Sequence, residues 1–351
     1  MSAVDDRLLA EVLADYGFTL HSAQRAGHGL INATWIVRDS AGATAVLQRL
    51  HPIVGRAVNA RINAVADRLT AAGLRCPRVL ASRGGNLEVT REQATWRLLT
   101  YIEGMTHDTL SSPELAAEAG AMLGRFHAAL QCPDLIPGLG ESSVHGLERR
   151  LQGLRHALEQ HRDHREFARI EVLANALFEA AANAPAVPAT RLRVVHGDPK
   201  ISNFLFDRDG HALCVVDLDT VGLMPLVFEL GDALRSWCNP AGEDTVATTF
   251  SLPLLQGAIA GYAGTAAGFI DADEVRGIVP GIESIYIELA ARFCTDALEE
   301  HYFAWDPNRF DSHCEHNLVR ARGQLHAALA LAAVRETASR IVGDSFATEG
   351  G

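Results

Sequence analysis

Apolar positions recur at helical spacing near the start of the chain, where Leu8, Leu9, Val12 and Leu13 share one side of a short helix predicted over residues 6–16. The period then falls to two. Residues 34–38 and 44–50 read as strands, and Asp39-Ser40-Ala41-Gly42 between them has the residue types of a hairpin turn. Ile62, Val65, Ala66 and Leu69 return to helical spacing in a helix predicted over 57–72, with Gly73 as its stop. Residues 78–81, 87–90 and 96–101 predict further strands, with Arg83-Gly84-Gly85-Asn86 as a turn.

After Gly104 the pattern turns helical. Ser112-Pro113 is a helix start, with Ser as N-cap and Pro in the first turn, and Leu115, Ala119, Met122, Phe126 and Leu130 form one apolar stripe. Ala-rich helical stretches follow at 171–184 and 319–340. The exception is 192–220, where residues 192–195 and 213–218 are short β-prone runs after a Pro- and Ala-containing connector at 183–190. The pattern predicts an α+β chain divided into a small mixed lobe over 1–103 and a larger helical lobe over 104–351 that carries a small β insert.

Composition narrows the function. The 351 residues exceed the roughly 150 of one typical domain, in keeping with two lobes. Lys plus Arg total 31 against 43 Asp plus Glu, a net charge of −12, so no electrostatic footprint for nucleic acid or an anionic membrane is expected and the partner should be a small molecule. The first seven residues are acidic and polar, unlike a secretory signal, and the apolar run 325–334 is too short for a membrane span. The six cysteines are dispersed with no Cys-x-x-Cys, and the histidines include no His-Glu-x-x-His. Reduced thiols, no zinc and a cytoplasmic location are expected.

The chemistry concentrates in His196-Gly197-Asp198-Pro199-Lys200-Ile201-Ser202-Asn203 and, just beyond, Val215-Val216-Asp217-Leu218-Asp219. Asp198 follows an apolar strand in a tight loop, where a carboxylate can project into a cleft. Asn203 offers a neutral amide oxygen, a hard ligand suited to magnesium, and Asp217 adds a charged oxygen after a second apolar strand. A base, an amide ligand and a carboxylate ligand separated by a hairpin are what phosphoryl transfer requires. The spacing is that of a kinase catalytic loop, His-x-Asp-x-x-x-x-Asn, with Asp217 following Asp198 by 19 residues.

On these residues the chain resembles the aminoglycoside phosphotransferase family, the small-molecule branch of the protein-kinase-like fold, over most of its length. The resemblance implies a two-lobed fold with a small antiparallel-sheet N-lobe and a larger helical C-lobe. It implies Asp198 as catalytic base, His196 as a loop-bracing residue, Asn203 and Asp217 as magnesium ligands, and ATP as donor. The segments Gly29-Leu30-Ile31-Asn32-Ala33-Thr34, Leu47-Gln48-Arg49, Trp96-Arg97, Glu229-Leu230-Gly231-Asp232, Arg292-Phe293-Cys294-Thr295-Asp296 and Asn317-Leu318-Val319-Arg320-Ala321-Arg322 look closest to N-acetylhexosamine 1-kinases.

The nucleotide site is expected to draw on Gly29 and Asn32 in a loop over the phosphates, and on Tyr101, Ile102 and Glu103 as a hinge meeting the adenine edge. The third strand departs from the family pattern. Where kinases usually carry Lys it offers Gln48 and Arg49, on opposite faces, so only one can face the phosphates. Lys200 is a substitute cation, and Asn63 or Asp67 would stand in for the usual helix Glu. Asp219, read as two residues further along the same strand as Asp217, would bind a second metal or a sugar hydroxyl. Arg292, Asp296, Tyr302, Asn317 and Arg320 would line the acceptor pocket, since a sugar site needs several hydrogen-bonding side chains. The expected activity is ATP-dependent phosphorylation of a small-molecule hydroxyl, foremost the anomeric hydroxyl of an N-acetylhexosamine. Choline, homoserine or an aminoglycoside is the alternative acceptor, and a nucleotide-binding pseudokinase the alternative class.

Overall fold

The computed structural model describes residues 5–26, 32–52, 54–55, 57–132, 134 and 136–347. The chain divides into two compact units, the first comprising Met1–Gly104, Cys132–Leu139 and Val216–Val221, the second Met105–Gln131, Gly140–Val215 and Gly222–Gly351.

In the first unit, helix α1 (Asp6–Asp15) starts at Asp5, whose side chain accepts the Arg7 N–H. It buries Leu9, Val12 and Leu13 against an antiparallel sheet of β1 (Leu20–Ala26), β2 (Ala33–Asp39), β3 (Thr44–Leu50) and β6 (Ala94–Thr100). The short strands β4 (Val79–Leu80) and β5 (Val89–Arg91) also pair with β6. Asp39 closes the β2–β3 hairpin by accepting the N–H groups of Ala41 and Ala43, and Gly42 takes φ 90°, a left-handed conformation that suits glycine. Helix α2 (Ala57–Ala71) buries Ile62, Val65, Ala66 and Leu69, as its spacing predicts. The β1 strand, Leu20-His21-Ser22-Ala23-Gln24-Arg25-Ala26, is mostly exposed and has no counterpart among the strands predicted with bounds.

The second unit is mainly helical. Helix α3 (Pro113–Ala129), N-capped by Ser112, packs on α7 (Leu252–Ala266), N-capped by Ser251. Small residues set their separation: a Cβ on Gly261 would stand 1.9 Å from the Ala117 carbonyl oxygen, and one on Gly120 2.0 Å from that of Ala258. The 28-residue α8 (Ala272–Glu299) packs with α4 (Leu147–Gln160), α5 (Phe167–Asn183), α6 (Leu226–Trp237), α9 (His313–Ala333) and α10 (Arg335–Ala347), and of these α6 and α10 also touch α7. The helix predicted over 319–340 is therefore two helices meeting at Val334. Two hairpin-like ladders complete the unit, β7 (Leu192–Val195) with β10 (Gly222–Pro225) and β8 (Phe204–Phe206) with β9 (Ala212–Val215).

The strand predicted over 213–218 ends at Val215. Asp217 takes φ 64° and ψ 59°, reversing the chain, and residues Leu218–Thr220 form a single 3-10 turn. Asp219 thus lies on a turn and not along a strand. Among the described residues no helix is long and apolar enough to cross a membrane.

Candidate active site

In the second unit, β7 delivers the chain to a loop that a buried carboxylate holds from beneath. Glu229, on α6 and fully buried, accepts the His196 N–H at 2.8 Å with one oxygen and the Gly197 N–H at 2.9 Å with the other. Gly197 has φ 83°, and this sharp bend points both amides at the one acceptor. Burial alone would raise the Glu229 carboxyl, but its contact with His127 and the Gly197 N–H outweigh burial and hold it below the ordinary value. His127 is tied in turn to the Tyr262 hydroxyl at 2.9 Å. Glu229 is a site residue that motif reading missed; its signal was the Glu229-Leu230-Gly231-Asp232 segment at the start of a helix.

Above this clamp the chemical groups converge. His196 is buried beside the Phe126 ring, and its Nδ1 accepts the Asp198 N–H at 3.3 Å. The Trp237 indole N–H donates to the Pro199 carbonyl at 2.9 Å, and Phe204 packs edge-on against that indole. Asn203, in the single turn Ile201–Asn203, donates to both the Asp198 carbonyl oxygen, at 2.8 Å, and its carboxylate, at 3.1 Å. Those bonds commit its donors and leave the amide oxygen as the uncommitted polar end, which fits a hard divalent cation.

Asp198 is one-third exposed and also receives the Lys200 ammonium at 2.7 Å. Burial opposes its charged form, yet the Lys200 charge and hydrogen bond, with His196 and Asn203, hold the carboxyl below the ordinary aspartate value. Asp198 is therefore an ionised acceptor at neutral pH. Lys200, expected at the nucleotide, is paired with Asp198.

In the first unit a second set of polar groups gathers on the sheet face opposite α1. Gln48 faces Arg97 across β3 and β6, accepting from its Nε at 2.8 Å while donating to Thr34 at 3.2 Å. Arg97 also donates to Asn59 at 3.2 Å and to the Asp219 carboxylate at 2.7 Å. Asn32 donates to the other Asp219 oxygen at 2.8 Å and accepts the His51 N–H. Arg49 pairs in register with Ala33 and Trp96, on the face that packs against α1, so of the two β3 residues Gln48 is the one that joins this set.

The expected helix partners correct as well. Asn63 exchanges both its amide groups with the Val79 backbone, and Asp67 pairs with Arg78, whereas Asn59, one turn earlier, faces the strands. Tyr101, Ile102 and Glu103 follow the last ladder pair, Ala45 with Thr100, in irregular backbone outside the sheet's pairing. Gly29 lies outside the described residues.

The residues expected to line an acceptor pocket divide. Asp219 is held between Arg97 and Asn32, one on each carboxylate oxygen. Asp296, on α8, accepts the N–H groups of His301, Tyr302 and Phe303 and the Asn317 amide, so Asp296 and Asn317 brace the turn after α8. Arg320 braces the same region by pairing with Asp244 at 2.7 Å and bonding the Ala304 carbonyl. Arg292 lies over the Tyr302 and Phe303 rings, and Tyr302 is 67% exposed. Arg292 and Tyr302 are the two of this set that face outward.

Among the described residues one further group has metal-ligand types, His164, Glu300 and Cys314. Burial, with the Glu300 and Glu166 charges, pushes the Cys314 thiol up to about 11.

A family model described as APH, phosphotransferase enzyme family, matches residues 22–267. Several solved structures share the fold. The amicoumacin kinase hAmiN, in complex with AMP-PNP, Ca2+ and Ami, aligns at TM-score 0.62 and 15% identity over 92% of this chain and 93% of that one. The microcompartment-associated aminopropanol kinase aligns at 0.61 and 16% identity over 96% and 99%. A choline/ethanolamine kinase family protein from Mesorhizobium loti aligns at 0.55 and 18% identity over 96% and 98%. None of the three is named for an N-acetylhexosamine, the branch the sequence segments suggested. The matched stretch contains the sheet, the Asp198 loop and the Asp217 turn, and the chain belongs to the APH phosphotransferase enzyme family.

Proposed function

We propose that the protein is an ATP-dependent kinase that transfers the γ-phosphoryl group to a hydroxyl of a small molecule, with Asp198 as the base. The supporting observation is the Asp198 carboxylate itself: ionised, partly exposed, and fixed by a buried carboxylate clamp under its own loop. In this reading Asp198 takes the acceptor hydroxyl proton while the hydroxyl oxygen bonds the γ-phosphorus, and the bond to the bridging oxygen of ADP breaks. Asn203 and Asp217 would hold magnesium, which when bound neutralises charge on the phosphates. Lys200, paired with Asp198, keeps it ionised in the resting enzyme. Asn32, Gln48 and the hinge residues Tyr101, Ile102 and Glu103 belong to the nucleotide side, as does Gly29.

The acceptor we propose is a sugar hydroxyl, foremost the anomeric hydroxyl of an N-acetylhexosamine. Two features support it. The segments 292–296 and 317–322 resemble that branch, and the outward-facing pair Arg292 and Tyr302 offers a guanidinium and a phenol to an oxygen-rich ligand. A guanidinium repels the ammonium groups of choline or an aminoglycoside. An anomeric hydroxyl is more acidic than an ordinary alcohol, so a carboxylate of low basicity suffices.

The test is ADP release in ATP and magnesium over a panel of N-acetylhexosamines, other sugars, amino alcohols and aminoglycosides. Release that depends on an N-acetylhexosamine supports the full proposal, and release only with an amino alcohol keeps the kinase and removes the sugar. Nucleotide stabilisation indifferent to magnesium, with no acceptor-dependent turnover, would make the protein a pseudokinase.

A further inference from the structure

Asp217 adopts a left-handed backbone, φ 64° and ψ 59°, which a residue with a side chain keeps only where its surroundings over-determine it. Three side chains bond to this turn two residues later, at Asp219. Its carboxylate is held by Arg97 at 2.7 Å and Asn32 at 2.8 Å, and its main-chain carbonyl takes a bond from Arg61 on α2 at 2.8 Å. Strand β6, helix α2 and the residue that precedes β2, all of the same unit, thus converge on one residue of the turn.

Arg97 is the centre of this arrangement. Its side chain is 1% exposed, and Nε and both terminal nitrogens are engaged, by Gln48, Asn59 and Asp219. Asn59 passes its own amide donor to Glu88 at 2.8 Å. A buried guanidinium engaged on all three nitrogens is an anchor, and removing its carboxylate partner would leave a buried charge uncompensated. It is fixed in place by the sheet on one side and α2 on the other.

We propose that Arg97 is the positioning residue of the Asp217 turn: by fixing Asp219 it fixes Asp217, and so sets how tightly a divalent cation is held without contacting the nucleotide. The inference rests on the kinase reading for the pairing of that cation with ATP. Gln48, in the strand position where a lysine was expected, then serves as a spacer that orients Arg97.

The experiment compares wild type with Arg97→Lys, Arg97→Gln, Asp219→Asn and the double variant Arg97→Gln/Asp219→Asn. Magnesium is titrated at saturating ATP, and manganese binding in the presence of ADP is followed by EPR as a readout free of turnover. The magnesium concentration for half-maximal turnover, and the manganese dissociation constant, should rise about 10- to 100-fold, as for other residues that orient metal ligands. At saturating metal the KM for ATP should stay within about threefold of wild type, because no ground-state nucleotide contact has been lost. The double variant should be little worse than either single one, since the two side chains act as a unit.

An unchanged metal requirement in every variant overturns the proposal, even if the variants melt earlier. A KM for ATP that rises at saturating metal while the metal requirement stays constant also overturns it, by making Arg97 a phosphate ligand. Should Arg97→Gln fail to fold, the near-isosteric Asp219→Asn carries the same test. A wild type with neither turnover nor manganese–ADP binding overturns the kinase reading itself, which is separable from failure confined to the variants.

Discussion

Asp198 and Lys200 stand two residues apart, and their pairing sets the acid side of the chemistry. Burial alone would lift the Asp198 carboxyl; the Lys200 ammonium holds it down. Lys200→Met should therefore raise the Asp198 value, and the acid limb of the kcat/KM profile should move to higher pH, which a pH–rate series on the variant would show. An unmoved limb would mean that the Lys200 charge does not govern the base. Asp198→Asn should lower kcat by about 100- to 10,000-fold, the usual worth of a general base, while ADP still raises the melting temperature. The candidate loop was legible in the sequence because His196, Asp198 and Asn203 sit in one short segment whose spacing is itself the signal. Arg97 was not. It lies in a strand beside Trp96, and nothing in its neighbours along the chain reveals that its partners come from β3, α2 and the Asp217 turn.

The element beneath the loop is α6, and its contribution is a single carboxylate that satisfies two backbone N–H groups. Glu229→Ala leaves both amides buried without an acceptor and should destabilise the protein by about 3 kcal/mol or more, read by urea unfolding. Because the folded-state value of Glu229 lies below the ordinary one, its contribution is present above about pH 4.3 and is lost as pH falls from there toward the folded value. Glu229→Gln should flatten that part of the stability–pH curve, and a curve parallel to wild type would contradict the assignment. The α3–α7 pair carries a different constraint. Gly261→Ala must push the helices apart, since its Cβ would fall 1.9 Å from the Ala117 carbonyl oxygen, and a loss of about 1–3 kcal/mol is expected in the same measurement. At this scale the apolar period revealed α1, α2, α3 and the β2–β3 hairpin. It missed β1, whose exposed polar residues leave no alternation to read, and it extended β9 through Asp217, because an apolar run does not disclose a left-handed residue at its end.

Across the whole molecule, the antiparallel-sheet N-terminal region and the helical C-terminal region followed from the change of period after Gly104. The additional segments of the first unit, Cys132–Leu139 and Val216–Val221, did not, because they join it from distant parts of the chain. For the same reason the acceptor residues were the least legible: Asp296 and Asn317 lie on helical segments whose spacing allows either a pocket or a brace, and only the turn after α8 decides for the brace. The proposed reaction is divalent-metal-dependent phosphoryl transfer from ATP to a small hydroxyl with Asp198 as base. Phosphorus NMR of the protein with ATP, magnesium and N-acetylhexosamine tests it most directly. A new sugar phosphate resonance should grow as the γ-phosphate signal declines, abolished by EDTA and nearly absent in Asp198→Asn. A phosphate ester that forms equally fast with Asp198→Asn, or no ester from any hydroxyl acceptor across the panel, would contradict it.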